Sequence, residues 1–311
     1  MLSALNNDIE LLDAQTYKNI AAIPIRTPIN YKFDVLTLEK GFELGLVEIK
    51  ELKHSQVNTI EVANNSVTPL LLVDGEEIIG GDQNRIVNST VLVAPKSELK
   101  IPVNCTEKGR WGYKHEFEHS AYMANSRTRY AKALFDSEDK DEQAAVWRSI
   151  DELETSRGFS SDTQAMSESY DNVNVDLEGG IDEFKIEKGQ TGVLIMVDGE
   201  IKGFELFFNS EIYASYHEKI LKSYIIDAEI SDSQFSINTD EAKTFIADAI
   251  DCKFSPSKSI GLETPYLFKG EEGLGKVYAY RDEIIHLSFF TDIEEINTPD
   301  EEEPQGMGII F

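Results

Sequence analysis

The chain has 311 residues, 41% of them hydrophobic, and a formal net charge of −28 at pH 7. This length and composition predict a folded protein with one large domain or two ordinary ones. The acidic balance argues against nucleic acid and against an anionic membrane as partners, because both attract clustered lysine and arginine. A basic partner protein remains an alternative for so acidic a chain.

Two cysteines, Cys105 and Cys252, lie far apart in the sequence. This usage fits a reducing cytosol better than a secreted disulfide scaffold. The first residues lack the basic and apolar regions of a signal peptide, and no apolar stretch approaches the roughly 20 residues that span a bilayer. We therefore expect a cytoplasmic protein with no membrane partner.

Residues 30 to 105 predict β-structure, because short runs rich in β-branched and aromatic residues alternate in part with polar ones. Asp74-Gly75, between LLLV and EEII, predicts a hairpin with a type I′ turn. RIVNSTVLVA and ELKIPVN, joined by PKS, predict a second strand pair. Six or so short strands indicate a sandwich or a jelly-roll-like barrel.

Residues 139 to 154 change to helical spacing, with Val146, Ile150 and Leu153 at the recurring apolar positions. The polar segment from 157 to 180 is interpreted as a linker or a mobile loop. These two segments separate the β-rich region from the rest of the chain.

A second unit begins near Ile181 with the hairpin pattern TGVLIMV-DG-EIKGFELFF. Its LIMVDGE repeats the earlier LLLVDGE, which is a weak sign of duplication. Residues 210 to 230 predict the strongest helix, capped by Ser210 or Asn209. EAKTFIADAI predicts another helix, KVYAYRDEIIHLSFF predicts a closing hairpin, and the tail INTPDEEEPQGMGIIF is acidic.

Together these elements predict an α+β fold with a β-sandwich-like N-terminal unit and a smaller hairpin-plus-helix α/β unit. The predicted boundaries are 1–135 for a β-rich domain with a polar site, 136–180 for a helix and polar linker, and 181–311 for an α+β domain with an acidic C-terminal tail.

Many charged and amide residues lie between Asp74 and Arg85, at the predicted strand ends. A packed core does not require such residues, and they are typical of a ligand site. On an extended segment Glu76 and Glu77 point to opposite faces. An arginine such as Arg85 can grip a phosphate or a carboxylate with two parallel hydrogen bonds, and amides can read sugar hydroxyls or base edges. The alternative is a structural cluster that satisfies loop backbone and forms an Arg–Glu pair.

The segment CTEKGRWGY extends this cluster after the second predicted strand pair. Trp111 can stack on a base or cover the edge of a core, and Arg110 can pair with a phosphate or with Glu107. Loops at strand ends often carry function, which favours a ligand role slightly.

His115-Glu116-Phe117-Glu118-His119 matches the HExxH pattern. On a helix, His115 and His119 would project from one face and hold zinc, with Glu116 as general base. The polar residues that follow are untypical of such a helix, and no third ligand is evident. We therefore predict no metal site and keep a zinc metalloprotease as a minor alternative. The sequence has no Walker loop, GxGxxG, GxSxG or paired CxxC, so the cofactor, if any, is unknown.

Several blocks resemble a known family: LLLVDGEEIIGGDQNRIVNSTVLVAPKSELKIPVNCTEKGRWGY, SRTRYAK, QAAVW and GVLIMVDGEIKGFELFFNSEIYASYHEKILKSYIIDA. The chain resembles the ADP-ribosylglycohydrolase- and rhodanese-phosphatase-superfamily-associated protein domain family of bacteria and phages, over most of residues 22 to 235. The family's name reflects genomic association with NAD and ADP-ribose metabolism. The resemblance implies that setting and not a demonstrated reaction.

The resemblance carries the family's polar motif onto Asp74, Glu76, Glu77, Gln83, Asn84, Arg85, Asn88, Glu107, Gly109, Arg110, Trp111, Gln143 and Trp147. Gly81 and Asp82 stand where the family pattern has a small residue and a lysine. This departure removes a positive charge beside the expected site.

We therefore predict a protein that binds an ADP-ribose- or NAD-type nucleotide, with or without hydrolysis, in NAD-linked metabolism or phage–host conflict. Glu76 or Glu77 is the expected catalytic base. The expected ligand-binding residues are Gln83, Asn84, Arg85, Asn88, Glu107, Arg110, Trp111, Gln143 and Trp147. A non-enzymatic protein that sequesters nucleotides, or an interaction protein, is the alternative, and a homo-oligomer stays open.

Overall fold

A computed structural model of the chain describes residues 9–27, 33–52, 58–110, 112–137, 142–172, 177–207 and 209–291. These residues form an α+β fold with extensive antiparallel sheets, which confirms the predicted fold class. The strands are β1 (Glu10–Leu11), β2 (Gln15–Tyr17), β3 (Ile20–Arg26), β4 (Leu36–Thr37), β5 (Val47–Glu51), β6 (Thr59–Asn64), β7 (Leu70–Leu72), β8 (Glu76–Ile79), β9 (Arg85–Val87), β10 (Val91–Val93), β11 (Ser97–Cys105), β12 (Glu118–Met123), β13 (Gly192–Val197), β14 (Glu200–Phe207), β15 (Phe254–Pro256), β16 (Thr264–Lys269), β17 (Gly273–Tyr280) and β18 (Glu283–Thr291). The helices are α1 (Leu38–Glu43), α2 (Ser126–Ser137), α3 (Glu142–Arg157), α4 (Met166–Asn172), α5 (Leu177–Glu183), α6 (Ser210–Ile225) and α7 (Thr239–Asp251).

The N-terminal part is a sandwich of two sheets. A three-stranded sheet has the order β10-β7-β4, and a six-stranded sheet has the order β12-β8-β9-β11-β6-β5. Leu70 and Leu72 contribute to the apolar core of this sandwich. Leu71 and Val73 belong instead to the larger core of the molecule. Because side chains alternate along a strand, β7 and the residue after it contribute to both cores.

The largest sheet has the order β1-β3-β13-β14-β18-β17-β16-β15, and β2 also pairs with β3. β3 pairs along its length with β13, from Ile20 opposite Val197 to Ile25 opposite Gly192. A strand from the N-terminal region therefore completes the sheet of the C-terminal hairpins. The division into three units stays a prediction, and this sheet crosses the boundary between the first and the last.

The Asp-Gly pair after LLLV does not form the predicted hairpin. β7 pairs with β10 and β4, whereas β8 pairs with β9 and β12, so the chain changes sheets at Asp74-Gly75. A type I′ turn needs positive φ at both central residues, but here only Gly75 has it, at 82°. Asp198 and Gly199 have φ of 52° and 85°, and their strands β13 and β14 do form a hairpin. The Asp-Gly pairs of LLLVDGE and LIMVDGE therefore form two different turns.

The second predicted strand pair forms only in part. β9 pairs with β11, with Val87 opposite Val103, but β10, which precedes PKS, pairs with β7 in the other sheet. Helix α3 covers the predicted helical segment. The side chain of Asn209 caps α6 by accepting a hydrogen bond from the Ile212 backbone at 2.8 Å. Helix α7 and the β17–β18 hairpin also match the prediction. The acidic tail lies outside the described residues.

The interpretation of residues 157 to 180 as a linker or loop was wrong. Helix α4 and most of the short helix α5 lie in this segment, and Met166, Tyr170 and Leu177 are buried in the larger core. Helices this short bury only a few side chains, so their apolar positions are too sparse to give a helical period.

Candidate functional site

The acidic corner, defined here as Asp74-Gly75-Glu76-Glu77, lies where the sandwich meets the helices and the large sheet. All three carboxylates are almost completely buried, and each has its own set of partners. Buried carboxylates are costly unless they are paired or hydrogen-bonded. Such a group of buried charges marks either a functional site or a junction of high specificity.

Asp74 pairs with the ammonium of Lys132 on α2, which also donates to the backbone carbonyl of Asn88. The Asp74 backbone N–H donates to the Thr90 hydroxyl at 3.0 Å. Burial lowers the pKa of Lys132, Asp74 opposes this shift, and nearby Lys276 adds to it. The pair fastens helix α2 to the corner.

Glu76 reaches in another direction, towards helix α6. Its Oε1 accepts from the ammonium of Lys219 at 3.1 Å. Its Oε2 accepts from the Val73 backbone N–H at 3.1 Å and from the Tyr216 hydroxyl at 3.4 Å. These contacts hold the carboxylate in one orientation next to a cation.

Among the described residues, no cation donates a hydrogen bond to Glu77. Its two oxygens accept from the hydroxyls of Thr106 at 3.3 Å and Ser120 at 2.8 Å. Burial raises the pKa of Glu77 to about 7, even though both hydroxyl bonds favour the ionised form. Glu77, one of the two predicted catalytic residues, therefore changes its protonation state near neutral pH.

A chain of polar contacts continues from the corner into the large sheet. Thr90 bonds to Nδ1 of His286 at 2.8 Å, and Nε2 of His286 lies 3.5 Å from Glu205. Glu205 accepts from Arg129 at 2.7 Å. Burial alone would raise the pKa of Glu205, but Arg129 and His286 outweigh it and lower the pKa to about 2. The carboxylate therefore stays ionised inside the protein.

The predicted amide and arginine residues form a second, adjacent cluster and mostly satisfy one another. The Arg110 guanidinium donates to the carbonyls of Gly81 at 2.7 Å and Gly112 at 2.9 Å. It also contacts the side chains of Asn84 at 3.1 Å and Glu107 at 2.5 Å. These contacts fasten the loop after β11 to the loop between β8 and β9.

Gln83 and Arg85 are buried in the same cluster. Gln83 donates to the Glu107 carbonyl at 2.9 Å. Arg85 lies 3.4 Å from Glu51 and donates to the Asn84 carbonyl at 3.2 Å. These contacts support the structural alternative, in which the cluster satisfies loop backbone and forms Arg–Glu pairs. The ligand-binding role of its members stays a prediction.

Of the remaining predicted residues, Gln143 and Trp147 lie one turn apart on α3, and Asn88 lies elsewhere. Gln143 forms two hydrogen bonds with the backbone of Cys105, at 2.7 and 3.0 Å, and so fixes α3 to the end of β11. Trp147, on the same helix, lies under the ammonium of Lys108 at 5.8 Å from the ring centre. Asn88 lines a separate cavity of about 180 Å³. Trp111 lies outside the described residues.

The HEFEH segment does not have the helical geometry that the zinc alternative needs. His115 lies in an irregular loop, its ring 2.6 Å from the Glu116 carbonyl, and His119 lies on strand β12. Within the described ranges, no group of three or more His, Cys, Asp or Glu side chains could hold a metal ion. The metalloprotease alternative therefore has no structural support here.

A cavity of about 410 Å³ lies between helices α1 and α6, next to the acidic corner. We call it the α1–α6 cavity. Its lining is Thr37, Glu39, Lys40, Glu43, Ala121, Ile186, Ala214, Ser215, Glu218, Lys219 and Lys222. Lys219, the partner of Glu76, joins the cavity to the corner. Known ligand cavities have volumes from about 300 Å³ upwards, so this one is large enough for a small molecule.

The sequence analysis did not identify Lys132 and Lys219, the cationic partners of the acidic corner, or Arg129, the partner of Glu205. Arg129 and Lys132 lie in the SRTRYAK block that resembles the family, and this was the available signal. Lys219 lies on helix α6, which the sequence predicted from its apolar spacing and its N-cap and not from its charged residues. Sequence alone does not reveal which strand end an ammonium on a distant helix will reach.

The fold and the buried charged corner define an α+β protein with a sandwich whose strand ends meet a second, helix-covered sheet. A family model described as ARPP-1, ARG and Rhodanese-Phosphatase-superfamily-associated Protein domain, matches residues 8–290. The chain belongs to this family, and the match is longer than the predicted resemblance over residues 22 to 235. The family's name links it to ARG and rhodanese-phosphatase superfamily proteins.

No curated protein and no solved structure matches the chain significantly. Among the helices of the described ranges, none is long and apolar enough to cross a membrane.

Proposed function

We propose that this protein binds a phosphate-bearing nucleotide of the ADP-ribose or NAD type in the α1–α6 cavity. The observation that carries the proposal is the placement of Lys219 and Lys222, which are nearly buried and lie one turn apart on α6. Side chains three residues apart on a helix are neighbours. Two ammonium groups at one cavity wall suit a phosphate in a protein of such negative overall charge.

Both lysines have partners that orient them and still leave donors for a ligand. Lys219 pairs with the buried Glu76 at 3.1 Å, and Lys222 pairs with Glu178 at 2.9 Å. An ammonium has three N–H donors, so each lysine keeps donors beyond its carboxylate. Glu178 is largely exposed, so its carboxylate can turn towards water while a phosphate takes its place beside Lys222.

The family's link to ARG-type proteins supports a ligand from NAD or ADP-ribose chemistry, in metabolism or in phage–host conflict. It does not by itself identify a reaction. Lysines of α6 take the phosphate-binding role that the sequence suggested for Arg85 and Arg110, because the arginines are engaged by their own loops.

The test is isothermal titration calorimetry with ADP-ribose and NAD on wild type and Lys222→Gln. Loss of one charge-assisted contact should weaken binding about tenfold. Lys185→Gln is the matched control, since Lys185 is an exposed lysine near the end of α5 and outside the cavity. Equal affinity of Lys222→Gln and wild type, or no binding of either nucleotide at millimolar concentration, would contradict the proposal.

A non-enzymatic nucleotide-sequestering protein is the second candidate, and the contacts of Glu76 favour it. Both oxygens of this expected base already accept hydrogen bonds, which leaves little capacity to take a proton from water. Single-turnover chromatography of ADP-ribose with excess protein separates the two functions. Recovery of unaltered nucleotide supports sequestration. Conversion that falls at least about a hundredfold in Glu76→Gln supports an enzyme with Glu76 as base.

A further inference from the structure

The walls of the α1–α6 cavity carry opposite charge. The α6 wall contributes Lys219, Lys222 and Glu218, and the α1 wall contributes Glu39, Glu43 and Lys40. Among the described residues, no hydrogen bond or ion pair engages the carboxylates of Glu39 and Glu218. One wall therefore suits an anion, and the other offers oxygen acceptors for hydroxyl groups.

The volume limits what can enter. About 410 Å³ lies in the lower part of the range of about 300–1,000 Å³ for known ligand cavities. A cavity of this size suits a phosphorylated pentose better than a whole dinucleotide. The cavity can therefore enclose only one part of an ADP-ribose- or NAD-type ligand.

We infer that the part held in the cavity is a sugar phosphate, with its phosphate at Lys219 and Lys222 and its hydroxyls at the carboxylates of the α1 wall. This inference rests on the proposed function and identifies the portion of the ligand that the site recognises. The carboxylates of the α1 wall can accept hydrogen bonds from sugar hydroxyls.

The small side chains of the cavity fit the same ligand. Ala121 and Ala214 line it and leave room for the carbon face of the pentose. Ile186 also lines it, although this large apolar side chain is 46% exposed. The base lies outside the enclosed volume, against Ile186, and contributes little to affinity.

The test is calorimetric titration of the full-length protein with four probes: ADP-ribose, ribose 5-phosphate, ribose and inorganic phosphate. Ribose 5-phosphate should bind within about tenfold of ADP-ribose, and ribose and phosphate should each bind at least about a hundredfold more weakly than ribose 5-phosphate. Inorganic phosphate equal in affinity to ribose 5-phosphate would overturn the inference and leave only an anion site.

Single substitutions test whether the α1 wall binds the sugar hydroxyls and the α6 wall binds the phosphate. Glu39→Gln should weaken ribose 5-phosphate about fivefold or more and leave inorganic phosphate unchanged, whereas Lys222→Gln should weaken both. Glu241→Gln, an exposed carboxylate on α7, is the matched control and should change neither. Binding of ribose 5-phosphate that is indifferent to both cavity variants would place the sugar elsewhere and overturn the inference.

The failures of the two proposals can be distinguished. If ADP-ribose binds in a Lys222-dependent manner and ribose 5-phosphate does not, the sugar-phosphate inference is wrong and the proposed function stands. If neither compound binds, the proposed function fails and the inference fails with it.

Discussion

The three carboxylates of the acidic corner have different partners. Asp74 and Glu76 each face a lysine ammonium, at Lys132 and Lys219. In the part of the chain that the structure describes, only hydroxyls donate hydrogen bonds to Glu77, which is completely buried, and its pKa is raised to about 7. Ionised Glu77 therefore costs the folded state stability at neutral pH.

Glu77→Gln should stabilise the protein at pH 8 and leave it nearly unchanged at pH 5. A raised folded-state pKa contributes stability that is present below the unfolded pKa of about 4.5 and is lost as pH rises through about 7. The ionised carboxylate should thus cost on the order of 3 kcal/mol at pH 8, and removing the charge should recover about 1–3 kcal/mol. The measurement is urea unfolding at both pH values.

Glu118→Gln is the control for this prediction, because Glu118 is exposed on β12 and loses the same charge. Its effect should be small at both pH values. A stability gain for Glu77→Gln that is equal at pH 5 and pH 8 would show that the buried charge is not its origin.

Gly75 determines how β7 and β8 connect. Its φ of 82° is disfavoured for other residues, and a Cβ there would lie 2.5 Å from Cδ of Arg129. Arg129 cannot easily move away, because Glu205 and Ser223 hold its guanidinium at 2.7 and 3.0 Å. The corner therefore needs glycine for two independent reasons, the backbone conformation and the close approach of a helix.

Gly75→Ala should lower the free energy of unfolding by about 3 kcal/mol, which combines strain at positive φ with overlap against Arg129. Gly45→Ala is a matched control, because Gly45 also has positive φ, at 64°, but open space around it. It should cost only about 1 kcal/mol. Equal costs in urea unfolding would mean that the Arg129 contact does not matter.

The sequence was sufficient for elements with strong local signals and not for their long-range partners. Asn209 and the apolar positions of α6 predicted that helix correctly, because capping and periodicity are local. Asp74-Gly75 predicted the wrong turn, since the same two residues also suit a corner between sheets. The polar cluster was found from composition, but whether Arg110 binds a ligand or its own loop depends on folded geometry.

The whole molecule is tied together across the predicted domain boundary. β3 pairs with β13, and Glu76 of the acidic corner pairs with Lys219 on α6. If the two regions were separated, β3 would lose the partner strand on one side, and Glu76 would lose its cationic partner. The structure is thus expected to fold as one cooperative unit.

Residues 1–135, expressed alone, should fail to fold into a stable structure, because β3 lacks β13 and Glu76 lacks Lys219. Unpaired strand edges and unpaired buried charges both disfavour the native state. The measurement is the ¹⁵N–¹H correlation spectrum of the fragment beside that of the full chain. A well-dispersed spectrum with cooperative unfolding would establish an independent N-terminal domain instead.

We propose that helix α6 presents a phosphate site beside the acidic corner. The most direct measurement is a crystal structure of the full-length protein with ADP-ribose. We predict a phosphate with oxygens about 3 Å from the ammonium groups of Lys219 and Lys222, and a ribose in the α1–α6 cavity. A phosphate bound instead by Arg85 and Arg110, with the loop contacts of both arginines broken, would contradict a phosphate site on α6.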